Sequence, residues 1–488
     1  MAVLTVFQNG TRREIPFKGT PLLDEVLISA GLLTPHPCGG LGKCGKCAVQ
    51  AEGALAPMTA SEERIGRRLS CQTRLLGDAA VTLPDDPSAT MHIETETAEL
   101  TAGGRGFGAA VDIGTTTVAV KLYDLENRRC IGQASAPNPQ ISTAADVMGR
   151  IEAAMNGQLN ALRDQIRDTV HTLLLSSAPN GQLPSPLQIT LTGNTTMLYL
   201  LCGYDPAPLS RAPFRADHLF GARITLPPLE EAYLPPCMNA FVGADITCAI
   251  WAAGMCEREE TALLCDIGTN GELALWKNGR LYVTSTAAGP AFEGAGIVCG
   301  CGSVAGAIDR VWLENGEIRI HTIGDAAPVG LCGSGVLDAV AVGLQTGDID
   351  ESGAMDEPMT LAEGIALYPR DVRAVQLAKA AIAAGIDTLI ECADTDMREI
   401  GTLYIAGGFG SHLNGESAAA IGLLPRELIG RICILGNAAL TGAAMTLTDP
   451  NAHEHLAHLA SLAAHINLGG NPSFSAHYID RMIFGDEE

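Results

Sequence analysis

Apolar residues recur at every second position in some segments of the chain and at every third or fourth position in others. Near the start, residues 3–7 and 13–17 flank an Asn-Gly pair, which predicts two strands joined by a tight hairpin turn. Thr20 before Pro21 then favours the start of a helix, an apolar stripe follows, and Gly31 favours its end. The chain therefore opens with a predicted hairpin and helix.

Short apolar segments continue as far as residue 85. Residues 47–51 and 79–83 are predicted strands, and residues 61–68 form a predicted helix between them. Residues 86–107 contain Pro, Thr, Glu and Gly with no clear period, which is typical of a linker. The pattern therefore predicts a first domain at 1–85 and a tether at 86–107.

The rest of the chain contains one motif twice, in which an apolar strand runs into Asp-Ile-Gly-Thr and a second apolar strand follows. The glycine lets backbone N–H groups approach a phosphate closely, and the threonine hydroxyls add donors. An aspartate at the end of the first strand can hold Mg²⁺ through water. The first copy comprises residues 109–111, 112–117 and 118–122, and the second comprises 262–265, 266–271 and 272–276.

A third glycine-rich turn lies further along the chain. An apolar strand at 403–406 runs into Gly-Gly-Phe-Gly, in which Gly407 and Gly408 would let an adenosine lie flat against the backbone. Two duplicated turns followed by this third turn resemble the superfamily of acetate kinase, sugar kinases, Hsp70 and actin. The resemblance implies two α/β lobes, 108–255 and 256–488, that clamp ATP between them.

Other segments fit the same arrangement. Residues 242–254 and 436–445 look like the paired connecting helices of that superfamily, although ordinary helix packing is an alternative for each. A further helix is predicted to begin near Ser411. The sequence has no GxxxxGK[ST] motif and no GxGxxG motif after a strand, which excludes P-loop and Rossmann sites. The loops predicted to line the cleft are 192–197, 289–294 and 330–335.

Four cysteines of the first domain have the spacing C-x5-C-x2-C-x23-C, namely Cys38, Cys44, Cys47 and Cys71. Small residues between the first three let the backbone wrap a [2Fe–2S] centre, and four thiolates satisfy two irons. Together with the hairpin, helix and strands, they resemble the β-grasp ferredoxins, with a first gap of adrenodoxin-type length. A zinc site and a Cys44–Cys47 redox dithiol are the alternatives.

A ferredoxin ahead of this ATPase body resembles the reductive activators of corrinoid proteins. The resemblance implies an α/β and α+β multidomain fold, with a β-grasp domain followed by a duplicated two-lobe actin-like ATPase. It implies ATP-dependent transfer of one electron from a [2Fe–2S] cluster to Co(II) of a corrinoid protein in a methyltransferase system, which forms Co(I). The implied cofactors are the cluster, ATP and Mg²⁺, and the other implied partners are a low-potential electron donor and a second copy of the chain.

The resemblance also assigns residues. Asp112 and Asp266 are the implied catalytic carboxylates at Mg-ATP, and Glu293 or Asp245 would position the attacking water, as a carboxylate near a γ-phosphate can. For Glu293 and for Asp245 taken singly, we favour a hinge or surface carboxylate. The implied cofactor-binding residues are Gly114, Thr115, Thr116, Thr117, Gly268, Thr269, Asn270, Gly271, Gly407 and Gly408, and the implied metal ligands are Cys38, Cys44, Cys47 and Cys71.

The net charge and the number of cysteines indicate which partners and which cellular compartment to expect. The chain has 488 residues and a formal net charge of −24, which argues against nucleic acid or an anionic membrane as partner. No apolar run approaches 18 residues, the start is unlike a signal peptide, and 15 cysteines favour a reducing cytoplasm. Cys299, Cys301 and Cys332 are either a second metal site or, as we favour, small buried thiols.

Three other functions fit parts of this pattern. An ATP-dependent activator of another low-potential metalloenzyme would usually carry a [4Fe–4S] cluster inside the ATPase body. A small-molecule kinase with a vestigial cluster would keep its phosphoryl transfer when Cys44 is replaced. A nucleotide-gated redox sensor would turn over ATP slowly or not at all.

Overall fold

The front of the chain folds into a five-stranded sheet covered by a short helix. The computed structural model describes residues 2–8, 11–30, 32, 47–83, 100 and 102–485. The strand order is β2-β1-β5-β3-β4, and the central pair β1 and β5 is parallel while the other pairs are antiparallel. The elements are β1 (Ala2–Gln8), β2 (Thr11–Phe17), α1 (Leu23–Ser29), β3 (Ala48–Leu55), α2 (Ala60–Ile65), β4 (Arg68–Leu69) and β5 (Leu75–Thr82).

The predicted hairpin is confirmed, but the helix after it starts later than predicted. It begins at Leu23 rather than at Thr20-Pro21, because Leu22 pairs with Arg74 in a β-bridge and the chain is still extended there. The Leu22 N–H donates to Glu25 Oε2 at 3.0 Å. The predicted end of the helix at Gly31 lies outside the described residues.

The second predicted helix, 61–68, is also wrong at its end. Helix α2 stops at Ile65 because Gly66 adopts a left-handed conformation with φ 73°. Arg68–Leu69 then pairs with the start of β3 as a two-residue strand. The strands predicted at 47–51 and 79–83 are present and are longer than predicted.

The first part of the body is a six-stranded sheet with the order β10-β11-β9-β6-β7-β8. Helix α4 packs its apolar stripe against one face of this sheet and buries Leu162, Ile166, Val170 and Leu174. Its strands are β6 (Phe107–Ile113), β7 (Thr117–Asp124), β8 (Arg129–Pro137), β9 (Leu187–Gly193), β10 (Ala222–Leu226) and β11 (Leu229–Leu234). Its helices are α3 (Val147–Ala153), α4 (Leu159–Ser177), α5 (Thr195–Cys202), α6 (Ala207–Ser210) and α7 (Ala244–Ala252).

The second part is another six-stranded sheet, with the order β21-β20-β12-β13-β14-β22. Two small sheets, β16-β15-β17 and β18-β19, are inserted between its third and fourth strands in the chain. The strands are β12 (Thr261–Ile267), β13 (Gly271–Lys277), β14 (Arg280–Thr286), β15 (Ala307–Glu314), β16 (Glu317–Thr322), β17 (Gly330–Leu331), β18 (Met359–Ala362), β19 (Ile365–Leu367), β20 (Ile400–Ala406), β21 (Ile432–Gly436) and β22 (Ala463–His465). The helices are α8 (Gly333–Thr346), α9 (Pro369–Cys392), α10 (Gly415–Ala420), α11 (Ala438–Met445), α12 (Ala452–Leu462) and α13 (Pro472–Asp480).

The two large sheets repeat one topology. In each, three consecutive strands form an antiparallel meander, β6-β7-β8 or β12-β13-β14. A later strand, β9 or β20, pairs parallel with the first strand of that meander. The predicted duplication is confirmed, and each Asp-Ile-Gly-Thr turn joins the first two strands of its meander.

The central strands of the second sheet are buried on both faces. On one face, Leu263, Cys265 and Ile267 pack in the cluster that contains Ile382 of α9. On the other face, Ala262 and Leu264 pack in a cluster with residues of α7. This explains why the strands around the two motifs are continuous apolar runs rather than alternating ones.

The predicted connecting helices are present as α7 and α11, and they pack against each other. A Cβ added at Gly442 of α11 would lie 2.1 Å from the carbonyl oxygen of Cys248 in α7. No side chain other than hydrogen therefore fits at position 442 while the helices keep this spacing.

The helix predicted to begin near Ser411 is wrong at its start. Gly410–His412 is one turn of 3-10 helix, and the α-helix α10 begins only at Gly415. The cause is Asn414, whose side chain accepts hydrogen bonds from the backbone N–H groups of Glu416 and Ser417 and caps the helix there.

The predicted linker 86–107 lies mainly outside the described residues, but its end packs on the body. Leu100 is buried in a cluster with Leu125 and Leu447, and Phe107 is the first residue of β6. Among the described helices, none is long and apolar enough to cross a membrane.

Candidate functional site

A cleft of about 340 Å³ opens where the turns of the two large sheets meet. The predicted residues that line it are Asp112, Gly114, Thr115, Thr116, Thr117, Asp245, Asp266, Gly268, Thr269, Asn270, Glu293, Gly407 and Gly408. All three loops predicted to line the cleft contribute to it, through Asn194, through Phe292 and Glu293, and through Gly333 and Ser334. Gly271 is different: it starts β13, and a Cβ there would lie 2.7 Å from Thr286 Oγ1, so its smallness serves packing.

Each of the two Asp-Ile-Gly-Thr turns is closed by a hydrogen bond from the N–H of its glycine, to a carbonyl three positions along the chain in the first turn and two positions along in the second. In the first, the Gly114 N–H donates to the carbonyl of Thr117 at 2.9 Å. In the second, the Gly268 N–H donates to the carbonyl of Asn270 at 3.0 Å. Each turn therefore presents its threonines from a tight backbone bend at the end of a buried strand.

One carboxylate joins both turns. Glu293 accepts a hydrogen bond from Thr116 Oγ1 of the first turn at 2.7 Å. It also accepts from the backbone N–H of Thr269 at 2.9 Å and from Thr269 Oγ1 at 3.0 Å. Donors from both sheets thus converge on a single pair of anionic oxygens, as they would on a phosphate.

Buried carboxyl groups surround this point. Burial raises the pKa of Asp112 to about 6, although a hydrogen bond from Asn437 opposes the rise. Burial, followed by the charges of Asp112 and Glu293, raises the pKa of Asp266 to about 7. Burial and the charges of Asp266 and Asp112 raise the pKa of Asp245 to about 8. Glu272 lies in the same cleft, and burial, with the charges of Asp245 and Asp266, also raises its pKa.

This set of groups fits Mg²⁺ and a nucleotide. Magnesium prefers carboxylate, hydroxyl and water oxygens, and the cleft offers carboxylates from both sheets together with threonine hydroxyls. A divalent cation would offset the cost of burying these carboxylates, which raises the pKa values of Asp112, Asp245 and Asp266, and would also relieve the repulsion from neighbouring carboxylates at Asp245 and Asp266. We therefore take Mg²⁺ with a phosphorylated ligand as the chemistry that these residues suit.

The third glycine turn approaches the second aspartate closely. Gly407 has φ 88°, and a Cβ there would lie 2.6 Å from Asp266 Oδ1. At Gly408 a Cβ would meet no heavy atom within 4 Å in the described part of the chain, so the backbone there is open to the cleft. Phe409 then stacks on Phe292 with ring centroids 5.0 Å apart. The arrangement leaves a flat backbone surface of the kind on which a nucleoside can lie.

A second contact crosses the cleft from α11. Asn437 Nδ2 donates to Asp112 Oδ2 at 2.9 Å, while Asn437 Oδ1 accepts from the Leu440 N–H and caps the helix. The sequence motifs do not include Asn437, which lies inside the helix predicted at 436–445; the one available signal was that asparagine is a preferred N-cap residue, and the observed helix begins after it, at Ala438.

Two residues behind the first turn were also missed. Asn138 and Arg150 are buried, and they hold the carbonyls of Gly114 and Thr115. Neither belongs to a recognisable motif, and an arginine at the centre of a helix gives no signal that it is buried.

The cysteine cluster is described in part. Cys47 and Cys71 are buried and their Sγ atoms lie 3.2 Å apart, while Cys38 and Cys44 lie outside the described residues. Two buried, adjacent thiols separated by 23 residues in sequence fit two ligands of one cluster. Buried Glu62 supports the loop, because it accepts from the Leu69 N–H at 3.1 Å and from Thr73 Oγ1 at 2.5 Å, on either side of Cys71.

The remaining cysteines give no second centre. Cys332 is buried as expected, whereas Cys299 and Cys301 are only partly buried, so the expectation of burial is wrong for those two. The next two residues, Gly302 and Ser303, line the cleft. In the part of the chain that the structure describes, no group of three or more His, Cys, Asp or Glu side chains could hold a metal ion by itself, so Mg²⁺ in the cleft would need water and phosphate oxygens as further ligands.

Three segments of the chain match models of known protein families. Residues 6–76 match the 2Fe-2S iron-sulfur cluster binding domain. Residues 107–258 match the RACo middle region, and residues 260–488 match the C-terminal domain of RACo, the ASKHA domain. The predicted ferredoxin domain and the predicted ATPase fold are confirmed by these matches.

Individual proteins are similar over most of their length. The chain is 34% identical over 420 residues to the corrinoid activation enzyme RamQ of Eubacterium limosum, covering 78% of this chain and 70% of that protein. It is 24% identical over 419 residues to the [Co(II) methylated amine-specific corrinoid protein] reductase of Methanosarcina barkeri, covering 78% of this chain and 77% of that one. A solved structure, a reductive activator for corrinoid,iron-sulfur protein, superposes with a TM-score of 0.72 at 26% identity over 99% of this chain and 98% of that chain.

Proposed function

We propose, because this chain belongs to the family of reductive activators of corrinoid proteins, that it returns an inactive Co(II) corrinoid protein to Co(I) at the expense of ATP. The acceptor is the corrinoid protein of a methyltransferase system. When bound, the [2Fe–2S] cluster supplies one electron at a time, and Mg-ATP supplies free energy through hydrolysis to ADP and phosphate. The transfer would balance as one electron given up by the reduced protein and one electron taken up by Co(II) of the partner, which becomes Co(I).

The observation that carries the nucleotide half is the set of contacts of Glu293. Thr116 from one sheet and Thr269 from the other donate to the same carboxylate. We infer that a terminal phosphate takes these donors when ATP binds. Glu293 is then released from the two threonines and is free to orient the attacking water.

The other residues of the cleft have complementary roles in this proposal. Asp112 and Asp266 hold Mg²⁺, and the turns that follow them hold the phosphates. Gly407 and Gly408 carry the adenosine, because both line the cleft and a Cβ at Gly408 would meet no heavy atom within 4 Å in the described part of the chain, so the backbone there is open to a ligand. Cys38, Cys44, Cys47 and Cys71 are the proposed cluster ligands.

Uphill electron transfer needs a coupling step, because a corrinoid Co(II)/Co(I) couple lies below most ferredoxin couples. For one electron, each ~59 mV uphill costs about a factor of ten in the equilibrium constant. We propose that closure of the lobes on ATP stabilises a complex in which the cobalt loses an axial ligand and is easier to reduce. If Mg-ATP leaves the affinities for the Co(II) and Co(I) forms of the partner unchanged, this coupling is wrong.

The domain boundaries, the cellular location and the partners are part of the proposal as well. We propose domains at 1–85, 108–255 and 256–488 with the tether at 86–107, a cytoplasmic location, a low-potential electron donor and a homodimer. A nearly neutral first domain with 9 Lys and Arg against 8 Asp and Glu in residues 1–85 would not be repelled by the acidic remainder.

The test of the nucleotide site uses the two threonines. Thr116→Val and Thr269→Val each remove one hydroxyl donor while keeping the side-chain shape, and each should weaken Mg-ATP binding or its hydrolysis by about tenfold or more. Thr448→Val is the matched control, because Thr448 Oγ1 donates to the Met445 carbonyl away from the cleft. Unchanged binding and hydrolysis in both threonine variants would remove the basis of the proposed site.

A further inference from the structure

Arg150 of α3 is fully buried directly behind the first phosphate turn. Its guanidinium is fixed at three nitrogens by groups from separate parts of the first lobe. Nη2 donates to the Thr115 carbonyl at 2.6 Å, Nε to the Ala144 carbonyl at 3.0 Å, and Nη1 to Gln140 Oε1 at 3.2 Å and Met197 Sδ at 3.1 Å. A side chain held in this way cannot change its rotamer without breaking several contacts.

The contacts determine which way the turn faces. Asn138 Nδ2 holds the carbonyl of Gly114 at 2.8 Å, and Arg150 holds the next carbonyl, that of Thr115. In a trans peptide the C=O and the following N–H point in opposite directions. Because both carbonyls are held from behind, the N–H groups of Thr115 and Thr116 are turned toward the cleft, which both residues line.

The charge of Arg150 has no close partner of opposite sign. All four acceptors of its hydrogen bonds are neutral, and among the described residues no carboxylate lies within 4.0 Å as an ion pair of Arg150. Burial lowers the pKa of Arg150 to about 10, against the attraction of Asp146 and Glu293, so it stays charged at neutral pH. A buried cation is costly unless an anion compensates it.

We propose that Arg150 is the positioning residue of the first phosphate turn, which it orients through the Thr115 carbonyl, and that the nucleotide phosphate on the far side of the turn balances its charge. The inference rests on the proposed function and deepens it, because it names the group that aligns the backbone donors. Arg150 touches the turn and not the ligand, so its effect must appear in phosphate binding rather than in nucleoside binding.

The experiment measures binding of Mg-ATP and of adenosine by calorimetric titration, together with thermal unfolding, in full-length protein. Arg150→Gln should weaken Mg-ATP binding by about tenfold or more, since charge-assisted hydrogen bonds are the strong class, and should leave adenosine binding within about twofold. Arg150→Lys keeps the charge but loses the planar guanidinium with its several N–H donors. Its affinity for Mg-ATP should therefore lie between that of Arg150→Gln and that of the unmodified protein.

The matched control is Arg167→Gln. Arg167 is a partly buried arginine of α4 in the same lobe, and it also donates to backbone carbonyls, those of Leu201, Pro227 and Cys202, away from the cleft. The Arg167→Gln variant should unfold at a lower temperature than the unmodified protein but bind Mg-ATP with the same affinity. If Arg150→Gln does not fold, Arg150→Lys carries the test with an expected loss of at least about threefold.

Three results would overturn the inference: unchanged Mg-ATP affinity in the Arg150 variants, an equal loss of adenosine affinity, or an equal effect of Arg167→Gln. If the proposed function itself were wrong, the experiment would give a different result from these three. It would appear as absence of Mg-ATP binding by the unmodified protein, before any variant is compared.

Discussion

At the scale of single residues, the site depends on contacts between parts of the chain that are far apart in sequence. Thr116 and Glu293 are 177 positions apart, and Asp112 and Asn437 are 325 positions apart. The Asp-Ile-Gly-Thr turns could be predicted because a turn is a local feature. Asn437, Asn138 and Arg150 could not, because their roles arise only when the sheets and helices are packed.

Glu293 gives the sharpest prediction at this scale. Glu293→Gln keeps a hydrogen-bond acceptor near Thr116 and Thr269 but cannot take a proton from water. We expect ATP hydrolysis to fall by about 10²–10⁴, with Mg-ATP affinity within a few fold of the unmodified protein, as measured by phosphate release and titration. Glu314→Gln at an exposed ion pair is the control. An unchanged hydrolysis rate would remove Glu293 from the water-positioning role.

The cluster ligands give a second prediction. Cys71→Ala removes a buried thiol next to Cys47 and should abolish the visible absorbance of the [2Fe–2S] centre while leaving ATP hydrolysis intact. Cys392→Ala is the control, since Cys392 is exposed at the end of α9. A full complement of cluster in the Cys71 variant would exclude Cys71 as a ligand.

At the scale of elements, the strands around both motifs were predicted well because strands buried on both faces are short continuous apolar runs. Element ends were predicted less well. Helix α1 starts late because Leu22 is used in a β-bridge, and α2 ends early at the left-handed Gly66. The start of α10 was misplaced because a cap at Asn414, rather than the end of the glycine turn, sets it. In each case one local feature, either a hydrogen-bonding partner or a left-handed glycine, outweighed the periodicity.

The contact between α7 and α11 provides the prediction at this scale. A Cβ at Gly442 would lie 2.1 Å from the Cys248 carbonyl oxygen, so Gly442→Ala must push the helices apart. We expect a loss of about 1–3 kcal/mol in the free energy of unfolding, measured by urea denaturation, despite the better helix propensity of alanine. Gly430→Ala is the control, because its Cβ meets no heavy atom within 4 Å in the described part of the chain. Equal stabilities of the two variants would contradict the close packing of α7 and α11.

At the scale of the whole molecule, the two sheets bring carboxyl groups of both halves into one buried cleft. The raised pKa values of Asp112, Asp266 and Asp245, about 6, 7 and 8, mean that the folded protein holds more protons than the unfolded chain between about pH 4 and pH 8. Their contribution to stability is therefore complete below their ordinary pKa of about 3.8 and is lost as pH rises through the folded-state values. Mg²⁺ would restore stability by compensating the charge of these carboxylates, and a nucleotide that binds only the folded state would add stability by mass action.

This predicts how unfolding depends on pH. In the protein free of nucleotide and Mg²⁺, the melting temperature should fall between pH 6 and 8, and Asp245→Asn should flatten that fall. Scanning calorimetry in the presence of a chelator, compared with saturating Mg-ATP, measures both effects. An equally steep fall in Asp245→Asn would contradict the placement of Asp245 among the repelling carboxylates.

The central claim is that the ATPase body drives electron transfer from the ferredoxin domain to cobalt, and one anaerobic measurement tests this claim most directly. The reduced protein is mixed with a Co(II) corrinoid protein, and formation of Co(I) is followed by visible absorbance with and without Mg-ATP. We predict that Co(I) forms with Mg-ATP and not without it. Equal formation of Co(I) without ATP would contradict the claim, because the body would then have no part in driving the electron to cobalt.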